Sequence, residues 1–208
     1  MMDHSAASAY VYAKASGMKA DSFVGRKAQE LFNARNLEDL WNLCFDEKVP
    51  LIPEVMLAKK IQKTAEDRFV SDYKMLIDCY EKPYGILIQL LRFYEYRNIK
   101  DIGAALCSGA TQMPDIIDIG TFSMLDYSAW PDIAKITKDS PIAWYDRVPS
   151  WNDQKDFDCR LDIQYIKGLW KAVQELPRSE KKYTADFIQE YIVLENCVWA
   201  VRLRVYYN

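Results

Sequence analysis

Apolar side chains recur every three or four residues along most of the chain, which is the spacing of one face of an α-helix. The first such stretches cover residues 5–19 and 23–34. A third follows Asn36, whose side chain suits a helix N-cap, and Glu38 lies in the first turn, where a negative charge favours the helix dipole. The pattern predicts three helices here, the third over residues 37–45.

Longer stripes separated by prolines predict two pairs of long helices. In the first pair, Pro53 suits the first turn of a helix because its missing N–H needs no partner there. The stripe after Pro53 extends to Tyr80, and a second stripe runs from Pro83 to Ala105.

The second pair of long helices is predicted on either side of Pro177. Its first helix carries apolar residues from Leu161 to Leu176. Its second helix has apolar residues spaced 4-3-4-3-4, a seam suited to packing on other helices, at Phe187, Tyr191, Leu194, Val198, Val201 and Val205.

Between the two pairs lies a stretch rich in residues that interrupt helices. Three of the seven glycines and Pro114 fall within residues 103–120, and three prolines allow only short helices in residues 125–151. We therefore expect three segments: a first helical unit over residues 1–108, a linker over 109–121 and a second helical unit over 122–208.

The two units share one plan, short helices followed by a long antiparallel pair, which predicts an all-α fold of repeated helical units. A shift of 98 residues places Asn98 on Asn196, the one identity in the aligned helices. We expect both amides to be at least partly buried at equivalent places, each bonded to the packed partner helix. The alternative is that any two amphipathic helices align this way.

Composition and charge exclude several classes of function. The chain has 208 residues with a net charge of −3 from 27 basic and 30 acidic residues, so no basic surplus favours nucleic acid. It contains neither a G-x-x-x-x-G-K nor a G-x-G-x-x-G phosphate-binding loop. The only histidine is His4, which leaves no histidine for a catalytic triad or a metal site in the body of the chain. We predict no catalytic, cofactor-binding or metal-ligating residues.

Cysteine spacing and hydropathy indicate the compartment. Five widely spaced cysteines suit free thiols in a reducing cytosol, and no signal peptide is apparent. No apolar run approaches the roughly 20 residues that a membrane span requires. We therefore expect a cytoplasmic protein without a membrane span.

Three tryptophans lie outside the clean helical stripes, among the prolines of the central region. Because tryptophan is enriched at interfaces, Trp130, Trp144 and Trp151 are candidate partner contacts. The alternative interpretation is half-buried packing within the chain.

Several segments together resemble one known family. They are residues 10–19 (YVYAKASGMK), residues 37–43 (LEDLWNL), and Asn98-Ile99-Lys100 within residues 94–102 (YEYRNIKDI). In the second unit, residues 161–165 (LDIQY) and 195–202, including Asn196 and Arg202, look like the same elements recurring. These segments resemble the central-stalk connector of vacuolar/archaeal-type rotary ATPases, known as the C-type connector in bacterial and archaeal enzymes and the d-type connector in eukaryotic enzymes.

The resemblance implies a mechanical function. The family's connector is a funnel of helices on the membrane rotor ring that receives the shaft of the catalytic head, and it has no active site. The implied partners are the rotor shaft subunits and the membrane rotor ring, and the implied location is peripheral on the cytoplasmic side of the membrane. The chain departs from the family at Ala104, where an arginine is frequent, whereas Arg202 keeps that arginine after Asn196.

The resemblance also implies a third helical unit, which we expect to be missing because the chain stops at Asn208 inside a helical pattern. Two other classes of protein fit the residues. One is a helical adaptor or repeat scaffold unrelated to rotary ATPases. The other is an all-helical enzyme that uses carboxylates, which would need acidic side chains converging in a pocket.

Overall fold

The structure is a computed structural model that describes residues 4–206, and these residues form helices and irregular segments without a β-strand. This confirms the predicted all-α fold. The described residues contain nine α-helices: α1 (His4–Asp21), α2 (Ala28–Phe32), α3 (Leu37–Cys44), α4 (Glu54–Ile77), α5 (Gly85–Leu91), α6 (Phe93–Cys107), α7 (Ile133–Thr137), α8 (Gln154–Gln174) and α9 (Arg178–Tyr206). Short 3-10 turns occupy Gly25–Lys27, Gly120–Phe122 and Tyr127–Ala129.

None of the described helices is both long and apolar enough to cross a membrane. The predicted continuation of the last helix at Asn208 lies outside the described residues, as does the side chain of His4.

Local signals place most helix starts correctly. The Asn36 side chain accepts a hydrogen bond from the Asp39 backbone N–H at 2.7 Å, so the predicted N-cap of α3 is confirmed. Pro53 directly precedes α4. The helix predicted over residues 23–34 is shorter, because Gly25 has a φ of +59°, a left-handed conformation that a continuous α-helix excludes.

The stripe predicted as one helix from Pro83 to Ala105 forms two helices, α5 and α6, separated at Arg92. The Arg92 carbonyl accepts from the Glu95 N–H at 2.9 Å, three positions on, which tightens the backbone between the two helices. Periodicity does not reveal this break, because the apolar spacing continues through it.

The chain divides into two compact units, Met1–Pro83 and Tyr84–Asn208. The predicted linker over 109–121 therefore lies within the second compact unit, and the repeat of units 1–108 and 122–208 stays a prediction. In the first compact unit a small core forms around Trp41, and the Trp41 indole N–H donates to the Glu47 carbonyl at 2.8 Å.

The second compact unit has the larger core. Helix α8 lies at its centre and packs against α5, α6 and α9. Fully buried side chains from α6, α8 and the segment before α8 meet there: Ile99, Ile102, Ile142, Tyr145, Leu161 and Leu169. Helix α6 approaches Tyr145 so closely at Gly103 that a Cβ atom there would overlap the Tyr145 hydroxyl.

The apolar seam predicted on α9 is exposed within this chain. Ile188 is buried, and Tyr191 and Ile192 pack beside it against the core. Five of the six seam residues are largely exposed: Phe187 (67%), Leu194 (65%), Val198 (42%), Val201 (62%) and Val205 (64%). Helix α9 carries apolar residues on more than one face, and packing on α8 from one side covers only the face of Ile188.

Candidate functional site

Asn98 on α6 is almost completely buried, with 1% of its surface exposed. Its Nδ2 donates to the Ile117 carbonyl at 2.8 Å and to the Tyr127 hydroxyl at 2.9 Å. The Ile117 N–H donates back to Asn98 Oδ1 at 3.0 Å. Burial of Asn98 is thus confirmed, but its partners lie in the irregular segment after α6 and not on a packed helix.

The next two residues of the motif face two other environments. Ile99 is fully buried in the core. The Lys100 ammonium forms an ion pair with Asp162 on α8 at 2.5 Å, with both side chains partly exposed. Lys100 also acts on nearby Asp158, whose pKa is raised by burial and lowered in part by the Lys100 charge. The motif therefore connects α6 to the core, to α8 and to the irregular segment.

Glu95 is a fully buried carboxylate that our sequence analysis missed. Its Oε1 accepts from the Ser123 hydroxyl at 2.5 Å and from the Met124 and Leu125 N–H groups at 2.7 and 3.3 Å. Burial raises the pKa of Glu95, and these hydrogen bonds and the charge of Arg92 oppose that rise. Its other oxygen, Oε2, is buried without a hydrogen-bond partner among the described residues.

A signal for Glu95 exists in the sequence. It precedes Asn98 by three positions and Ile102 by seven, so the three side chains share one face of α6. A carboxylate at that spacing, inside an apolar stripe, indicates a buried acceptor with a structural task.

Glu95 and Asn98 together hold the irregular segment 117–125 against α6; we call these two side chains the α6 clamp. They supply the acceptors and donors that a β-strand neighbour would otherwise provide to the segment backbone. Ile117 and Ile119 are accordingly buried although they belong to no helix or strand. The arrangement is suited to rigidity, since each polar atom of the clamp that bonds fixes a backbone group.

Asn196 and Arg202 on α9 lie in different surroundings from Asn98. Asn196 is exposed, so the expectation that both amides are partly buried is wrong for this residue. Asn196 and Asp162 border a groove of about 380 Å³ between α8 and α9. The Arg202 guanidinium lies over the Trp199 ring at 5.8 Å, where it shields an aromatic surface at the rim of that groove.

The three candidate partner tryptophans differ in exposure. Trp151 is 77% exposed. Trp144 is half-buried: its indole N–H donates to Gln164 at 2.5 Å and the Arg160 guanidinium lies 3.7 Å from its ring centre. Trp130 is half-buried and packs against the core. Their contact with a partner stays a prediction, and Trp151 is the most accessible of the three.

Clustered metal ligands are absent from the part of the chain that the structure describes: no three His, Cys, Asp or Glu side chains are placed to hold one ion. The carboxylates of the second unit face backbone N–H groups, as Glu95 does, or a lysine, as Asp162 does.

Comparison with known proteins agrees with the resemblance. The chain matches the family model described as "ATP synthase (C/AC39) subunit" over residues 11–208. It is 30% identical over 207 residues to an "Uncharacterized protein" of Treponema pallidum (strain Nichols), a match that covers 100% of this chain and 61% of that relative. The chain thus spans about three-fifths of the relative's length. No solved structure matches. Because the family match extends over nearly the whole chain, the protein belongs to the ATP synthase (C/AC39) subunit family.

Proposed function

We propose that this protein is a non-catalytic central-stalk subunit of a V/A-type ATPase or ATP synthase. In this role it couples the rotor shaft of the ATP-hydrolysing head to the membrane rotor ring, for proton or sodium transport. Family membership over residues 11–208 is the observation that carries the proposal. The protein would act in the cytoplasm, peripherally at the membrane through the complex.

The packing of the second compact unit supports a mechanical role. A part that transmits torque must not yield, and close-packed interiors have low compressibility. Helix α8 is surrounded by α5, α6 and α9, and the α6 clamp holds the irregular segment 117–125 in place. The irregular segment, which a less constrained protein would leave mobile, is thus tied to the helical body by side-chain hydrogen bonds.

Exposed apolar surface supports a role in an assembly. The α9 seam, from Phe187 to Val205, leaves large aliphatic and aromatic side chains in water. Extended apolar patches of this kind mark protein interaction sites more often than ordinary surface. Trp151 adds an exposed aromatic residue of the type that dominates binding energy at interfaces.

Affinity purification from the native organism tests the proposal. The chain is tagged in its chromosomal locus, membranes are solubilised in mild detergent, and co-purified proteins are identified by mass spectrometry. We expect shaft subunits of the catalytic head and the protein of the membrane rotor ring in stoichiometric amounts. Recovery of other proteins, with every rotary ATPase subunit missing, would contradict the proposal and favour an unrelated adaptor.

A matched pair of variants tests the proposed aromatic contact in the same experiment. Trp151→Ala should lower recovery of the partner subunits, since it removes an exposed anchor. Phe32→Ala is the control, because Phe32 is an aromatic residue of similar exposure, 79%, in the other compact unit. Equal recovery with both variants would show that Trp151 is not a partner contact.

A further inference from the structure

A polar pocket of about 420 Å³ opens between α5 and α8 in the second compact unit. Gln89 on α5 and Arg92 at its end line one wall, and Lys167 and Lys171 on α8 line the other. Each pair is spaced by one helical turn, so all four side chains reach the same opening. The pocket lies outside the motif that identifies the family.

Two of these side chains have hydrogen-bond donors without acceptors. The Arg92 side chain makes no hydrogen bond to any described residue, and its Nε is buried and unpartnered. The Gln89 side chain is 91% buried, with 9% exposed, and it makes no hydrogen bond within the described residues. A buried donor left without an acceptor is costly, so such groups are usually bonded to protein, water or a ligand.

Gly168 shapes the wall opposite Gln89. A Cβ atom at position 168 would lie 2.6 Å from Gln89 Nε2, closer than atoms in contact allow. The glycine therefore lets the Gln89 amide lie against the backbone of α8, at the pocket surface. Without this glycine the amide would be displaced from its place in the wall.

The charges of the pocket favour an anion. Lys167 has no ion-pair partner within the described residues, and Arg92 has only the electrostatic influence of nearby Glu95. Lys171 is 4.0 Å from Glu175, but both side chains are mostly exposed, so this pair is weak. Three cations thus meet one carboxylate at the pocket rim.

We propose that this pocket binds a phosphate group. The fork of donors on Arg92, the ammonium groups of Lys167 and Lys171, and the Gln89 amide approach from two helices, which suits a tetrahedral dianion with several acceptor oxygens. A carboxylate offers two oxygens and one charge, and would leave part of this donor set unused. The phosphate comes either from a small molecule in solution or from a lipid headgroup.

Calorimetric titration of the purified full chain with inorganic phosphate, against chloride at equal ionic strength, tests the site. We expect saturable binding of one phosphate, weakened about tenfold or more by Arg92→Gln, which removes a charge-assisted bond. Lys167→Gln should weaken it several-fold, and Glu175→Gln should strengthen it, because that change removes the one carboxylate at the rim. Lys138→Gln, an exposed lysine of the same unit outside the pocket, is the control and should change nothing.

Flotation with phosphatidylcholine vesicles, with and without phosphatidic acid, separates the two sources. Binding only to the phosphatidic acid vesicles, lost in Arg92→Gln and competed by inorganic phosphate, assigns the site to a headgroup. Phosphate binding without vesicle binding assigns it to a soluble ligand. The proposal is overturned if neither probe binds, or if both exposed-residue variants, Lys167→Gln and Glu175→Gln, bind phosphate like the unaltered chain. These two variants keep the test valid even where Arg92→Gln fails to fold.

Discussion

Asn98 and Ile117 exchange two hydrogen bonds inside the second compact unit, although 19 positions separate them in the chain. The Asn98 amide donates to the Ile117 carbonyl and accepts from the Ile117 N–H, at 2.8 and 3.0 Å. One side chain thus does for this backbone what a neighbouring β-strand would do. As a result, an irregular segment enters the core of an all-helical protein without leaving these two polar groups unsatisfied.

Replacing Asn98 with alanine should destabilise the second unit by at least about 2 kcal/mol, because two buried backbone groups of Ile117 lose their partners, at roughly 1–3 kcal/mol each. Denaturant unfolding measures the effect. Asn196→Ala is the matched control: its amide is exposed, so its change should stay within about 0.5 kcal/mol. Equal effects of the two variants would contradict the structural difference between the asparagines.

The buried carboxylate of Glu95 makes stability depend on pH. Because burial raises the folded-state pKa of Glu95 above its usual value, the folded state holds this proton more tightly than the unfolded state. The associated stability is fully present below the unfolded pKa, near 4.5, and is lost as the pH rises through the folded pKa. Each pKa unit of difference corresponds to about 1.4 kcal/mol.

Glu95→Gln removes this titration and keeps an acceptor oxygen for Ser123 and Met124. The stability of the variant relative to the unaltered chain should therefore increase between about pH 4 and pH 7. Urea unfolding of both proteins at several pH values measures it. Asp158, whose pKa burial also raises, is present in both proteins and so cancels in the difference. A difference that does not change with pH would show that Glu95 does not titrate differently on folding.

Gly103 and Tyr145 are expected to be coupled, because a Cβ at position 103 would overlap the Tyr145 hydroxyl and lie 3.1 Å from its Cζ. Gly103→Ala should cost about 1–3 kcal/mol, as overpacking of a fully buried site does. Tyr145→Phe should be nearly neutral or stabilising, since burial raises the pKa of Tyr145 while its hydroxyl has no hydrogen-bond partner among the described residues.

The double variant Gly103→Ala/Tyr145→Phe provides the decisive measurement. Removing the hydroxyl opens the space that the new methyl group needs, so at least half of the lost stability should return. Additive effects of the two substitutions would mean that the strain at position 103 arises elsewhere.

Helix positions were predictable from sequence because local chemistry fixes them. The Asn36 cap, Pro53 before α4 and Pro177 before α9 act within a few residues, and the structure shows α3, α4 and α9 starting beside them. The break at Arg92 was not predictable, since it lies inside an apolar stripe that periodicity reads as continuous.

Long-range relationships were predictable only in part. The polar position of Asn98 in an apolar stripe correctly indicated burial, but its partner Ile117 lies on an irregular segment that no periodic pattern marks. The seam on α9 follows helical spacing well, yet the core takes the neighbouring face with Ile188. When a helix has apolar residues on more than one face, spacing alone does not reveal which face the rest of the chain covers.

The tryptophans allow a last prediction, which separates packing from binding. Trp144 donates to Gln164, stacks on Arg160, and packs against Tyr145 and Phe157. Trp144→Ala should therefore lower the free energy of unfolding by at least about 2 kcal/mol, the lower part of the range for large aromatic truncations in cores.

Trp151→Ala should change stability by less than about 0.5 kcal/mol, because 77% of this side chain is in water. Its effect should appear instead in the recovery of partner subunits. Unfolding by denaturant, followed through tryptophan fluorescence and checked by circular dichroism because each variant removes a fluorophore, measures the first property, and affinity purification measures the second. If Trp151→Ala instead lowers stability as much as Trp144→Ala does, Trp151 contributes to packing within the chain, and its loss of partner binding would then no longer indicate a direct contact.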